Sequence, residues 1–205
     1  MPGKHRVRLA ISPVQGYHVM MSDIDKKYPL ALEPPSGDVV PITLEMVSEL
    51  LRLSRESPRK RMIQPLHKHD GESLHRMFNA LQPGTYIPPH RHRNPDKSET
   101  VLVISGGMLF IEFDETGNVT SHLIVQPGTA VFGVDVAPGV YHTFFAFKPD
   151  TLLFEVKDGP YSRTDDKDIP EWAPAEGTPE AVEYLVDLIK GIMSEQAEPE
   201  VEQPS

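Results

Sequence analysis

Three histidines and one glutamate stand in this chain at spacings that can close around a metal ion. His90 and His92 form a His-x-His pair directly after Pro88-Pro89, Glu99 follows, and His142 lies well downstream behind Pro138-Gly139. Imidazole and carboxylate ligands suit Zn, Fe, Mn, Ni or Co rather than Ca, and such a set leaves positions open for a further ligand. The expected cofactor is therefore one divalent metal ion (Zn, Fe, Mn or Ni), with the choice among them open. Glu99 has two readings, as a ligand or as an outer carboxylate that orients an imidazole. The chain has no cysteine, so thiolate sites and disulfides do not compete with this arrangement.

Strands must bring these residues together. Side chains alternate across a strand, so His90 and His92 share one face, as do Glu99, Val101 and Val103, and His142, Phe144 and Ala146. Eight short β-type runs are expected, at 75–81, 86–92, 99–104, 108–114, 119–125, 130–134, 142–147 and 151–156. Turn residues separate them, among them Gln82-Pro83-Gly84, Asn94-Pro95-Asp96, Gly106-Gly107, Gln126-Pro127-Gly128 and Lys148-Pro149-Asp150. That spacing predicts an all-β sandwich or barrel. Thr43 can cap a helix over 44–55 with Leu44, Val47, Leu50 and Leu51 on one face. Thr178-Pro179 can start another over 179–193, with Val182, Leu185, Val186 and Ile189 as its apolar stripe. The predicted organisation is an arm and helix over 1–73, a β-barrel over 74–157, and an extension and helix over 158–194. An acidic tail over 195–205 reads as disordered. Within the arm, residues 1–40 read as extended or loop, with one strand around 16–21.

Other side chains are candidates with two readings each. Arg76, entering the first barrel strand, could clamp a carboxylate or phosphate, or could pair with an acidic neighbour. Lys97 lies two residues before Glu99 and could face the same mouth, or sit solvated in its loop. Tyr86 and Tyr141 could hydrogen-bond an oxyanion or pack as aromatics, and Tyr141 falls on the strand face opposite His142. His67, His69, His75 and His122 lack ligand spacing to the cluster. Arg59-Lys60-Arg61 and Lys68 make a basic patch that reads as a solvated connector, with an anion-binding role as the alternative. There is no phosphate-cradling glycine loop and no dinucleotide fingerprint.

Composition narrows the partners. A formal net charge of −10 argues against a general nucleic-acid or anionic-membrane binder, and leaves a small anionic substrate open. No apolar run approaches the roughly 20 residues that span a bilayer. The opening residues do not read as a signal peptide, and cytoplasmic residence is the expectation. Uncovered sheet edges and apolar helix stripes suit a homodimer.

Gly84, His90, His92, Glu99 and Gly106, followed by Gly139 and His142, resemble the two motifs of the cupin superfamily. Six residues separate His92 from Glu99, Pro138 touches Gly139 directly, and Ala146 stands where the second motif has Asn. Arg76-Met77-Phe78-Asn79-Ala80-Leu81, Tyr86 through His92, Lys97-Ser98-Glu99, Gly159-Pro160-Tyr161 and Trp172-Ala173-Pro174-Ala175-Glu176-Gly177 are similar to the WbuC-type group of cupin-fold metalloproteins. That likeness covers residues 61–189. It implies a cupin-type β-barrel, a jelly-roll-like double-stranded β-helix, that binds one metal through His90, His92, Glu99 and His142. It also implies a place in surface-polysaccharide metabolism, with no settled reaction. The expectation is a metal-dependent enzyme on a small polar substrate such as a sugar or sugar nucleotide, with isomerase, epimerase and dioxygenase chemistry all open. Glu99 and Tyr86 are the candidate catalytic groups, and Arg76 and Lys97 the candidate substrate contacts. The alternative is a metal-containing module that binds or senses a small ligand without turning it over.

Overall fold

The computed structural model describes residues 28–162 and 167–195. Most of the arm over 1–40, with the strand expected at 16–21, and the acidic tail beyond 195 lie outside the described residues. Helix α1 (Leu44–Glu56) starts where Thr43 Oγ1 accepts the Met46 N–H at 3.2 Å, and stops where the Ser57 N–H turns back to the Leu53 carbonyl. Eight strands follow: β1 (Arg61–Pro65), β2 (Leu74–Leu81), β3 (Glu99–Ser105), β4 (Met108–Phe113), β5 (Val119–Val125), β6 (Gly133–Val136), β7 (Tyr141–Ala146) and β8 (Thr151–Asp158). Helix α2 (Pro179–Glu195) completes the described chain, with the Ala181 N–H on Thr178 Oγ1. None of its helices is long and apolar enough to cross a membrane.

Two antiparallel sheets carry the strands, five in the order β1-β2-β8-β3-β6 and three in the order β5-β4-β7. The period-two pattern gives each sheet two apolar faces, so three layers of packing result. Between the sheets lie Leu81, Val101, Val103, Val136 and Leu153 from the larger one and Met108, Phe110, Val125, Phe144 and Ala146 from the smaller. The outer face of the larger sheet packs Phe78, Ala80 and Leu152 against Met62 and against Leu50 of α1. The outer face of the smaller sheet packs Leu109, Ile111, Phe113, Tyr141 and Phe145 against Leu185 and Ile192 of α2. This is the expected all-β architecture with flanking helices.

Two local readings needed correction. Residues 86–92 do not form a strand. Pro88 and Pro89 have no N–H to give a ladder, so the segment's backbone pairing with β7 is the reciprocal His90–His142 bridge at 2.9 and 3.0 Å. Thr143 Oγ1 adds a bond to the Ile87 carbonyl at 2.6 Å. The supposed basic connector holds strand β1, whose Arg61 is buried. Its guanidinium donates to the Tyr86 carbonyl at 2.7 Å and to Glu176 Oε2 at 2.6 Å, while Arg59 donates to the other oxygen of Glu176 at 3.0 Å. Burial still pushes Arg61 down to about 10, with Glu176 opposing that shift. Gly106, at φ +80°, makes the turn from β3 to β4 where a Cβ would come 2.4 Å from Thr151 Oγ1.

Candidate metal centre

The His90–His142 bridge sets two imidazoles side by side, and the two-residue repeat brings His92 to the same side. Their ring centroids lie 4.7 Å (His90–His142), 5.0 Å (His90–His92) and 5.9 Å (His92–His142) apart. One ring nitrogen from each falls within 4.8 Å of the others, so the three could hold a metal ion. All three are buried, and Phe110 stacks on His142 with 16° between the rings.

The tautomers follow from the backbone. His90 Nδ1 lies 2.9 Å from the Pro88 carbonyl and His142 Nδ1 lies 2.9 Å from the Val140 carbonyl. A carbonyl can only accept, so both Nδ1 atoms carry a proton, and Nε2 is the nitrogen left free for ligation in the neutral ring. Burial, then the ammonium of Lys167 and the neighbouring imidazoles, pushes His90 well below its usual range and keeps it neutral.

Glu99 arrives from the opposite sheet. Its register partners are Lys157 on β8 and Val136 on β6, and its carboxylate reaches across to His142 Nε2 at 2.7 Å and His92 Nε2 at 3.4 Å. Burial would raise its carboxyl, but the two facing imidazoles outweigh it and hold the group well below the carboxylate range. His142 Nε2 and Glu99 Oε1 are buried without a hydrogen bond of acceptable geometry despite their closeness. Buried imidazole nitrogens and a carboxylate oxygen left without a hydrogen bond at one place are what a cation would satisfy, so the donor set fits a divalent metal.

The other expected site residues divide. Lys97 is buried rather than solvated, and its ammonium donates to the Pro160 carbonyl. Arg76 is not inside: strand alternation puts it on the face opposite His75 and Met77, where it pairs with Glu72 at 3.1 Å. Tyr86 also lies away from the cluster, donating to the Pro174 carbonyl at 2.9 Å and meeting Tyr184 edge to face. Tyr141 packs outward beneath the Arg91 guanidinium, 4.1 Å from its ring centre.

Sequence reasoning passed over a second polar group on the same wall. Pairing across β2, β8 and β3 lays His75, Lys157 and Glu99 in one inward row and Met77, Glu155 and Val101 in the next. Asn79 Nδ2 donates to Glu155 Oε2 at 2.6 Å, and Asn79, Glu155 and Lys157 are all buried. Burial and the nearby charge of Glu99 push the Glu155 carboxyl up. The signal was the alternation Leu153, Glu155, Lys157, which extends a core-facing row past the apolar residues.

A family model described as a domain of unknown function (DUF6016) matches residues 42–125. No curated protein matches the chain significantly. Among solved structures, the capsular polysaccharide assembling protein CapF from Staphylococcus aureus is 17 % identical, with a TM-score of 0.45, over 53 % of this chain and 29 % of that one. KdgF from Halomonas sp. is 15 % identical, with a TM-score of 0.40, over 51 % of this chain and 83 % of that one. Oxalate decarboxylase from Bacillus subtilis is 23 % identical, with a TM-score of 0.38, over 46 % of this chain and 23 % of that one. This chain thus spans under a third of CapF.

Proposed function

We propose that the protein is a metal-dependent enzyme that binds one divalent ion through His90, His92, His142 and Glu99 and acts on a small polar molecule. The observation that carries this reading is the convergence of ring nitrogens from three buried histidines, two with their Nδ1–H groups fixed on backbone carbonyls, around a buried carboxylate. When bound, the ion supplies Lewis acidity toward a carbonyl or hydroxyl oxygen of the substrate. The carbonyls of Pro88 and Val140 hold the Nδ1 nitrogens of His90 and His142, which orients both rings and leaves their Nε2 nitrogens for the ion. Glu99 spans two of the imidazoles and can stay on the ion or accept a proton. Glu155, with its carboxyl raised and Asn79 fixing one oxygen, is placed on the neighbouring row to hold or accept a proton of the substrate. The likeness to the WbuC-type group makes a sugar or sugar nucleotide of surface-polysaccharide metabolism the first substrate class to try. Elemental analysis of untagged protein, beside His142→Ala, tests the reading. Near-stoichiometric metal that the variant loses is the expected result. A parent protein that takes up no divalent ion even on reconstitution overturns it.

A further inference from the structure

His90 and His92 sit on a short piece of backbone that is held from both sides. Successive peptide groups of an extended chain point to opposite edges, so His90 and His92 bond one way and Arg91 the other. On the β7 side, His90 and His142 exchange two backbone bonds at 3.0 and 2.9 Å, and the Gly139 N–H donates to the His92 carbonyl at 3.0 Å. On the other side, Arg91 and Asp168 exchange two more at 3.1 and 3.0 Å.

The side chains repeat that second tie. Alternation turns Arg91 away from the imidazoles. Its guanidinium donates to Asp168 Oδ2 at 2.6 Å and to Glu115 Oε1 at 2.7 Å, and lies 4.1 Å from the centre of the Tyr141 ring. The Asp168 side chain is 39 % exposed and that of Glu115 is 73 %, so the Asp168 pair is the less screened of the two. The chain beyond Asp168 is fastened as well. Trp172 Nε1 donates to the Glu115 carbonyl at 3.2 Å, and its ring packs on Phe113 and Tyr141. A Cβ on Gly117 would come 2.8 Å from that ring, so the indole is fitted closely against the β4–β5 turn. None of these groups belongs to the packing between the sheets. A ligand segment bonded on the β7 side alone can pivot about that seam, and such a pivot shifts both of its imidazoles relative to His142 and Glu99.

We propose that Asp168 is a positioning residue for the metal centre. Docked on Arg91, it closes the outer side of the His90–His92 segment, so that ion binding and the docking of residues 167–172 strengthen one another. This inference rests on the imidazole cluster being a metal site. The coupling is reciprocal by necessity: if the docked segment tightens the ion, the ion tightens the segment by the same factor. Metal occupancy is thereby displayed on the outer face of the molecule, around Asp168 and Trp172.

Two measurements on the intact chain test this, with zinc and cobalt(II) as probes. Hydrogen exchange of the peptide covering residues 167–172, followed by mass spectrometry, should slow by about tenfold or more when zinc is added to chelator-treated protein. Zinc affinity is then read by chelator competition in Asp168→Ala, Asp168→Asn and a control, Asp150→Asn. The control breaks a comparable pair with Arg55, just before β8 and away from Glu155 and Lys157. Asp168→Ala should lower the affinity by about 10- to 100-fold, the range usual for groups that orient a ligand from behind, and should abolish the exchange response. Asp168→Asn, still able to accept from Arg91 Nε, should fall between that variant and the parent, and Asp150→Asn should match the parent. The cobalt(II) absorption spectrum should shift in Asp168→Ala and stay fixed in Asp150→Asn, because ligand geometry and not the fold is what changes. Unchanged zinc affinity in Asp168→Ala, equal losses in Asp168→Ala and Asp150→Asn, or exchange over 167–172 indifferent to zinc overturns the proposal and leaves the metal reading standing. A parent protein that binds neither ion overturns both. The exchange comparison needs only the parent, so it decides even where Asp168→Ala fails to fold.

Discussion

The interior between the sheets has two ends made by the same strands with opposite contents. On β8, Leu153 is fully buried among valines and phenylalanines, and two and four residues on the same face carries Glu155 and Lys157. On β3, Val101 and Val103 belong to the apolar end and Glu99 to the polar one. On β7, Phe144 and Ala146 give way to His142. Antiparallel ladders run through both ends, so it is the side chains that distinguish them. Apolar burial at one end stabilises the fold, and that margin lets the other end hold charges and imidazoles that would be unfavourable alone. Glu99 and His142, carried on continuous strands, also inherit their rigidity.

Breaking the polar end should cost ligation and little else. His142→Ala should lower divalent-metal affinity by more than about 100-fold, beyond the range usual for outer-shell partners, as read by competition with a chromophoric chelator. Breaking the apolar end should do the reverse. Leu153→Ala should cost about 2–5 kcal/mol in denaturant unfolding, because it leaves a cavity among packed neighbours, while metal stoichiometry stays at the parent value. Glu176→Gln should cost about 1–3 kcal/mol by withdrawing the charge that faces buried Arg61. It should not alter metal content.

The smallest effect sharpens the comparison most. Glu155 has its carboxyl raised above the ordinary 4.5 by burial and by Glu99. The folded state therefore binds its proton more readily than the unfolded state does, and stability falls as pH rises from that ordinary value through the raised one. Glu155→Gln keeps an acceptor for Asn79 and removes the charge. It should raise the unfolding temperature at pH 7 to 8, with the gap to the parent closing as pH drops below 4.5. A parent protein more stable than the variant at neutral pH would mean that Glu155 is a structural charge, paired and favourable. Lys167→Met should likewise stabilise at pH 7, with the gain shrinking as pH rises above about 8, where the parent lysine sheds its proton.

Much of this was legible from local pattern. The caps at Thr43 and Thr178 and the two-residue alternation of His90/His92 and His142/Phe144 each act over a few residues, so their physics is written in adjacent positions. What escaped depended on distant partners. Arg61 reads as a surface cation until Glu176, 115 positions away, is seen against it. Arg76 had two readings, and the pairing of β2 with β8, which sets the parity of the strand, goes with the ion pair to Glu72. The supposed strand over 86–92 failed for a local reason that was visible, the two prolines. Glu155 and Lys157 look like the solvent face of a strand unless the closing of the second sheet over them is known.

The tie between Arg61 and Glu176 also orders events during synthesis. A ribosome delivers β1 long before the segment that carries Glu176, and the five-stranded sheet needs only residues up to Asp158. A nascent chain that closed this sheet early would bury a guanidinium facing no carboxylate, which is unfavourable enough to keep β1 at the edge in exchange with solvent. Quality control that samples exposed strand edges would read a chain halted between these two points as unfinished.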